Sequence, residues 1–80
     1  MPRIVATNLR RLRKEKGLTQ EELADLAEID RSYLGAIERA EYKVTVVTLG
    51  RLARALRVLP AALLELPAGH PFLAQITDPP

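Results

Sequence analysis

Eight residues between Gln20 and Lys43 have side chains and a spacing suited to contacts with double-stranded DNA. They are Gln20, Arg31, Ser32, Tyr33, Ala36, Arg39, Tyr42 and Lys43. Arginine can donate two hydrogen bonds to O6 and N7 of guanine, and hydroxyl, amide and ammonium groups can donate to phosphates. A helix whose exposed surface carries small and hydrogen-bonding residues can enter a major groove about 12 Å wide. The pattern therefore predicts an interface with duplex DNA.

Most of the candidate base-reading residues allow more than one role. Arg31 would start a helix, nearest the bases, and could read guanine, contact a phosphate or remain solvated. Ser32 could contact a base edge or a phosphate, or could support the helix cap. The Tyr33 hydroxyl could reach DNA, or its ring could pack half-buried against the preceding helix. Arg39 suits either a base or a phosphate.

Three of the candidates are predicted to contact the DNA backbone. Gln20 would lie at the start of a helix, where free backbone amides and the helix dipole favour a phosphate. Tyr42 and Lys43 fall in the loop after the candidate recognition helix. Gly35 costs about 1 kcal/mol relative to alanine inside a helix. Its presence indicates that the backbone comes close to DNA or to a neighbouring helix.

Residues that could support catalysis are sparse. The chain has one histidine, His70, and no cysteine, which argues against a transition-metal site. The sequence contains neither a nucleophile–base constellation nor a phosphate-binding glycine loop. We therefore predict no enzymatic activity and no cofactor.

Apolar residues at helical spacing and capping residues predict an all-α fold that begins with three short helices. The predicted spans are about 4–16, 20–27 and 31–39. Thr19 is followed by glutamate three residues later, which is the capping-box sequence for the second helix. Asp30 is a favourable N-cap for the third.

Two further helices are predicted, giving five in all. Thr45 can cap the fourth, in which apolar residues recur at heptad-like spacing as far as Leu56. Pro60 suits the first turn of the fifth, which ends near Leu66. The only β-like run, 44–47, is short and competes with the Thr45 cap.

The segment 20–39 has the pattern of a helix-turn-helix. Ala24 is small where two helices must cross closely, and Ile29 is apolar within the turn, where it can plug into the core. Leu34 and Ile37 would face inward from the second helix. The residues that would then face outward from that helix are Arg31, Ser32, Gly35, Ala36 and Arg39.

Length and composition indicate one small domain. A chain of 80 residues buries only about 60% of its unfolded surface, which leaves no room for a deep catalytic cleft. The net charge is only +2, but basic residues crowd the first sixteen positions and acids crowd 21–30. A local positive potential, rather than a basic total, is what DNA binding requires. The composition changes after Pro67, which predicts a domain over 1–66 and a tail over 67–80. The tail could pack at a dimer interface.

Nothing in the sequence indicates a membrane segment. No apolar run approaches the roughly 20 residues that a bilayer span needs, and the first residues lack the apolar stretch of a signal peptide. We therefore expect a cytoplasmic protein with no membrane partner.

Three segments resemble the Xre family of regulators, which is related to phage Cro and phage repressors. They are LRRLRKEKGLTQEELA (9–24), RSYLGAIER (31–39) and TLGRLARAL (48–56). The resemblance implies a five-helix domain of the phage-repressor type and a DNA-binding transcription regulator. Within the family, DRSYLGAIERAEYKVTVVTL is most similar to controller proteins of restriction–modification systems. An antitoxin, a phage-type repressor, or a protein-interaction module on the same fold remain alternatives.

The resemblance also carries expectations for individual residues. Glu28 and Ala40 stand where the family usually has glycine, and Val44 where proline is common. If Glu28 must be left-handed, it costs on the order of 1 kcal/mol. By the resemblance, Arg13 and Glu38 should form an ion pair between the first and third helices.

Self-association is predicted from the apolar residues left over beyond a four-helix core. These are Leu63, Leu64, Leu66 and Phe72. They predict a two-fold homodimer built by the fifth helix, with help from the fourth helix or the tail. Such a dimer would bind a palindromic operator, and RNA polymerase or a toxin could be a further partner.

Overall fold

The computed structural model describes residues 2–66, and these form four α-helices and one short 3-10 helix. The α-helices are α1 (Pro2–Glu15), α2 (Gln20–Ala27), α3 (Arg31–Glu38) and α4 (Val46–Leu56). The 3-10 helix is Pro60–Leu64. The all-helical prediction is confirmed for this part of the chain. The expectation of five α-helices is not confirmed, because the fifth element is the short 3-10 turn.

Side-chain caps determine where the central helices begin. Thr19 accepts a hydrogen bond from the Glu22 amide at 3.0 Å, and the Glu22 carboxylate accepts one from the Thr19 amide at 2.9 Å. This reciprocal pair is the predicted capping box. Asp30 and Thr45 cap α3 and α4 with their side-chain oxygens. The Thr45 cap explains why the β-like run 44–47 enters a helix and forms no strand.

Three non-glycine residues adopt left-handed backbone conformations, and each lies just after a helix. Glu28 has φ 57°, Ala40 has φ 61° and Arg57 has φ 59°. At Glu28 the chain turns so that the Ile29 amide donates to the Ala24 carbonyl at 2.9 Å. The left-handed conformation considered for Glu28 is therefore present, without the glycine that would adopt it most easily.

One core holds the helices together. The largest fully buried side chains are Leu9, Leu23, Leu34, Ile37, Leu52, Leu56 and Leu63. Ile29 packs against this core from the turn between α2 and α3, as predicted. Helix α3 packs against both α1 and α2, so its position is fixed from two sides.

A buried polar side chain joins the two ends of the described chain. Asn8 on α1 is 3% exposed, and its Nδ2 donates to the carbonyl oxygens of Leu63 at 2.9 Å and Glu65 at 2.8 Å. The 3-10 helix is therefore attached to α1 by hydrogen bonds as well as by the buried Leu63.

Within residues 2–66 no helix is both long enough and apolar enough to cross a bilayer. The predicted tail over 67–80, with His70 and Phe72, lies outside the described residues.

Candidate nucleic-acid interface

Helix α3 is anchored by a buried ion pair. Glu38 is 2% exposed, and its carboxylate accepts hydrogen bonds from Arg13 Nε at 2.7 Å and Arg13 Nη2 at 3.2 Å. Arg13 Nη1 also donates to the Leu18 carbonyl at 2.9 Å. The predicted pairing of these two residues is confirmed. A two-point contact of this kind fixes both distance and orientation between α1 and α3.

Gln20 belongs to the same network. Its Nε2 donates to Glu38 Oε1 at 3.0 Å. The side chain is half-buried at the start of α2, and its orientation is set by an acid at the end of α3. One amide hydrogen of the side chain remains for an outside acceptor, together with the unbonded backbone amides of the first turn.

Four of the predicted contact residues line one shallow depression. Its walls are Gln20, Arg31, Ser32 and Arg39, with Gly35 among them. Residues four apart lie on the same side of a helix, which explains why Arg31, Gly35 and Arg39 share this surface. The start of α2 and the exposed side of α3 therefore form one continuous polar surface.

Arg31 and Ser32 are both exposed in the first turn of α3. The Asp30 carboxylate accepts from the Ser32 amide at 3.4 Å, so Asp30 rather than the Ser32 hydroxyl supplies the cap. Neither side chain has a hydrogen-bond or ion-pair partner within residues 2–66. Both are available to an external acceptor.

Ala36 does not face outward, and that prediction was wrong. The residue is 5% exposed, and five consecutive residues of α3, 34–38, are buried. Because α3 packs against α1 as well as α2, its buried surface is wider than the single stripe that Leu34 and Ile37 predict. Ala36 can contribute close packing but no direct contact in a groove.

Tyr33 and Tyr42 pack against each other. Their ring centroids are 6.2 Å apart and the planes meet at 69°, which is an edge-to-face arrangement. Tyr33 is half-buried against the core, which is the packing role weighed for it. Tyr42 remains 58% exposed, and Lys43 beside it is exposed.

Two contacts were not foreseen from the sequence. Arg10, one of the basic residues in the first sixteen positions, donates from Nη1 to the Glu38 carbonyl at 2.9 Å and so caps the end of α3. Arg39 forms an exposed two-point pair with Glu41 at 2.9 Å and 3.2 Å. The sequence signal for the second pair was an acid two residues after the arginine, in a turn of unknown geometry.

The arrangement defines a class of protein: a helix-turn-helix domain whose second helix presents its exposed side for contact. Comparison with known families agrees, since residues 9–63 match the helix-turn-helix (HTH_3) family. The chain therefore belongs to this helix-turn-helix family of DNA-binding transcription regulators.

Individual relatives narrow the comparison. The chain is 42% identical over 72 residues to the uncharacterised HTH-type transcriptional regulator y4dJ of Sinorhizobium fredii, covering 90% of this chain and 94% of that protein. It is 45% identical over 53 residues to the control protein C.SmaI of Serratia marcescens, covering 66% of this chain and 63% of that protein. The crystal structure of the restriction–modification controller protein C.AhdI from Aeromonas hydrophila superposes with a TM-score of 0.76 at 44% identity, covering 78% of this chain and 94% of that one.

Proposed function

We propose that this protein is a cytoplasmic, homodimeric transcription regulator that binds a palindromic operator in duplex DNA. The observation that carries the proposal is the polar depression shared by Gln20, Arg31, Ser32 and Arg39. It combines the start of one helix, which favours phosphate, with the exposed first turn of the next, which favours base edges.

Sequence reading is assigned mainly to Arg31. Its guanidinium is exposed and has no carboxylate partner in the described part of the chain. Ordered phosphate contacts at Gln20 would set the depth of α3 in the major groove, so that Arg31 could donate two hydrogen bonds to guanine. Ser32 lies beside it and can reach an adjacent base edge or phosphate.

Contacts with the phosphates of the DNA backbone are assigned to the two ends of the helix-turn-helix. At one end are Gln20 and the free amides of α2; at the other are Tyr42 and Lys43, both exposed. The edge-to-face packing on Tyr33 limits the positions that the Tyr42 ring can adopt. These contacts do not depend on the DNA sequence, and they supply the salt-dependent part of the affinity.

The role of a restriction–modification controller is the favoured specific function. C.AhdI carries that description at 44% identity, and C.SmaI, described as a control protein, is 45% identical. An antitoxin or a phage-type repressor is the second candidate, supported by 41% identity over 59 residues to the immunity repressor of Bacillus phage phi105. Occupancy of DNA is the mechanism in each case, with RNA polymerase as the expected partner of a controller and a toxin as that of an antitoxin.

Selection from a random duplex library, followed by binding titrations, tests the proposal. We expect one palindromic sequence to be enriched and to be bound much more tightly than random duplex. Arg31→Ala should then weaken the selected duplex by about 1–3 kcal/mol per half-site and random DNA far less. Lys43→Ala is the matched phosphate-contact variant, which should weaken both and flatten the salt dependence by about one unit per subunit.

The result opposed to the proposal is equally clear. A chain that enriches no sequence and fails to shift random duplex at low salt would be a protein-interaction module on this fold. If Arg31→Ala weakens selected and random duplex equally, Arg31 is a phosphate contact and the reading of sequence lies elsewhere.

A further inference from the structure

Arg39 is exposed on the polar depression, but its guanidinium is held in one orientation. Nε donates to Glu41 Oε2 at 2.9 Å, and Nη2 donates to Glu41 Oε1 at 3.2 Å. The guanidinium raises the acidity of its partner, so that the pKa of the Glu41 carboxyl lies below its ordinary value. The acid is therefore ionised at neutral pH, and the pair as a whole carries no net charge.

The turn after α3 places Glu41 beside Arg39. Ala40 takes the left-handed conformation at φ 61°, and the Glu41 amide then donates to the Ala36 carbonyl at 2.9 Å. These bonds fix the backbone on which the Glu41 carboxylate stands.

Gly35 makes room for the arginine on the other side. A Cβ atom at Gly35 would lie 3.1 Å from Arg39 Nη1 and 3.9 Å from Gln20 Oε1. The guanidinium therefore lies across α3 at the position where any other residue would place a side chain. This close approach explains a glycine inside an eight-residue helix, where it otherwise costs stability.

The hydrogen bonds left on Arg39 have a defined geometry. Glu41 occupies the edge formed by Nε and Nη2, while Nη1 and the second hydrogen of Nη2 remain. Those two nitrogens form the end of the guanidinium, from which two parallel hydrogen bonds can reach O6 and N7 of guanine. A phosphate is a poorer ligand at this point, because the Glu41 carboxylate beside it repels an anion.

We propose that Arg39 is a second base-reading residue. The hydrogen bonds to Glu41 orient its guanidinium toward guanine, and the absence of a side chain at Gly35 leaves room for that orientation. The inference rests on the proposed DNA-binding function and deepens it. Arg31 and Arg39 are eight residues apart on the same side of α3, or about 12 Å along the helix. At about 3.4 Å per base pair, the two guanines lie within about four base pairs of each other in each half-site.

Removal of the Glu41 charge separates this role from a structural one. In Glu41→Gln, Arg39 becomes an unneutralised cation beside DNA. Affinity for random duplex should rise and the salt slope should steepen by about one unit per subunit. The preference for the selected duplex should fall by about tenfold, within the range that one two-point base contact supplies. Glu15→Gln is the matched control: it removes the acid from the exposed Arg11–Glu15 pair on α1, 2.8 Å apart, and should change neither quantity.

Substitution of single guanines locates the contact. In the selected duplex, each guanine is replaced in turn by deazaguanine, which lacks the N7 acceptor. The wild type should lose affinity at two guanines in each half-site. Arg39→Met, which has no hydrogen-bond donor, and Gly35→Ala should become insensitive at one of them and remain sensitive at the guanine assigned to Arg31. Circular dichroism and thermal melting confirm that each variant is folded, and Arg39→Met still tests the contact if Gly35→Ala fails to fold.

The outcomes that overturn the inference differ from those that overturn the function. A wild type that selects no duplex removes the proposed function itself. A wild type that selects a duplex, with Glu41→Gln matching it in salt slope and preference, removes only the role of Glu41. If Arg39→Met keeps both deazaguanine effects, or if Arg39→Ala weakens selected and random duplex equally, Arg39 is a phosphate contact and not a reader of bases.

Discussion

Glu38 is the residue on which the geometry of the interface most depends. It is buried, and it accepts hydrogen bonds from both Arg13 and Gln20. Glu38→Ala would leave the Arg13 guanidinium largely buried without its partner, so we expect a loss of about 3 kcal/mol in the free energy of unfolding. Urea denaturation followed by circular dichroism measures the change.

Two further variants test whether that loss of stability comes from the buried ion pair. Glu38→Gln keeps the shape and one of the two acceptor oxygens, and it should lose less than the alanine variant. Glu15→Ala removes an exposed acid and should cost about 0–1 kcal/mol. An unfolding midpoint for Glu38→Ala equal to that of the wild type would contradict the anchoring role.

Substitution of the left-handed residues by glycine is expected to raise the stability of the fold. Glu28 and Ala40 have φ 57° and 61°, a region that costs a side-chain-bearing residue about 1–2 kcal/mol. We expect Glu28→Gly and Ala40→Gly each to raise stability, by less than about 1 kcal/mol after the greater freedom of glycine in the unfolded chain is subtracted. Glu28→Ala keeps the Cβ atom and should give no such gain. Thermal melting that shows lower stability for both glycine variants would rule out the strain.

For single residues, prediction from the sequence was correct where the residue type has one dominant structural role. The family pattern predicted the Arg13–Glu38 pair, and the glycine usual at position 28 raised the case of a left-handed Glu28. Prediction failed at Ala36, since a small apolar residue fits equally on a buried or an exposed surface. It missed the contact of Arg39 with Glu41, because that contact depends on the path of the turn between them.

Among the elements, the start of α2 couples fold stability to pH. The hydrogen bonds from the backbone and side chain of Thr19 lower the pKa of the Glu22 carboxyl below its ordinary value of 4.5. A lowered pKa in the folded state stabilises the fold above the unfolded-state pKa, and the effect is lost as pH falls through the folded-state pKa. We expect wild type to exceed Glu22→Gln in stability at neutral pH and the difference to vanish at acid pH below 4.5. Unfolding measured across pH checks this, and a difference that persists unchanged into acid would contradict it.

The 3-10 helix depends on Asn8 for its position. Asn8→Ala removes two hydrogen bonds to the carbonyls of Leu63 and Glu65. Since one hydrogen bond contributes about 1 kcal/mol net, we expect a loss of about 2 kcal/mol and faster amide exchange in 60–65. Thr7→Ala, at the exposed neighbouring position, is the control. Unchanged exchange in 60–65 would show that the buried Leu63 alone holds the segment.

The sequence predicted α2 and α3 almost to the residue because a capping side chain marks the start of each. It placed the start of α1 two residues late, since helix α1 begins at Pro2, which suits a first turn. The fifth element was overextended for a different reason. The 3-10 helix ends at Leu64, and the next residue, Glu65, is extended with its carbonyl bound to Asn8.

At the scale of the whole molecule, a dimer contact depends on which apolar side chains are exposed. Several large apolar side chains are exposed: Val46 at 85%, Leu59 at 77%, Val47 at 67% and Leu64 at 41%. The sequence could predict a surplus of apolar residues, but their distribution over the surface depends on the packing of α4 and the 3-10 helix. Leu63, counted in that surplus, is in fact fully buried in the core.

We expect the dimer contact to include Leu59, the exposed residue directly before the 3-10 helix. Burial of an exposed leucine contributes about 1.5–3 kcal/mol, and a two-fold axis counts each contact twice. We expect Leu59→Glu to yield monomers in sedimentation velocity, while Val46→Glu, an equally drastic change at the first residue of α4, leaves the dimer intact. On DNA, the wild type should prefer half-sites with centres about 10 base pairs apart, because two-fold-related recognition helices must lie about 34 Å apart. The Leu59→Glu monomer should bind duplexes with any spacing equally. A wild type that sediments as a monomer at high micromolar concentration would refute the dimer, and a Leu59→Glu variant that remains dimeric would place the contact on another surface.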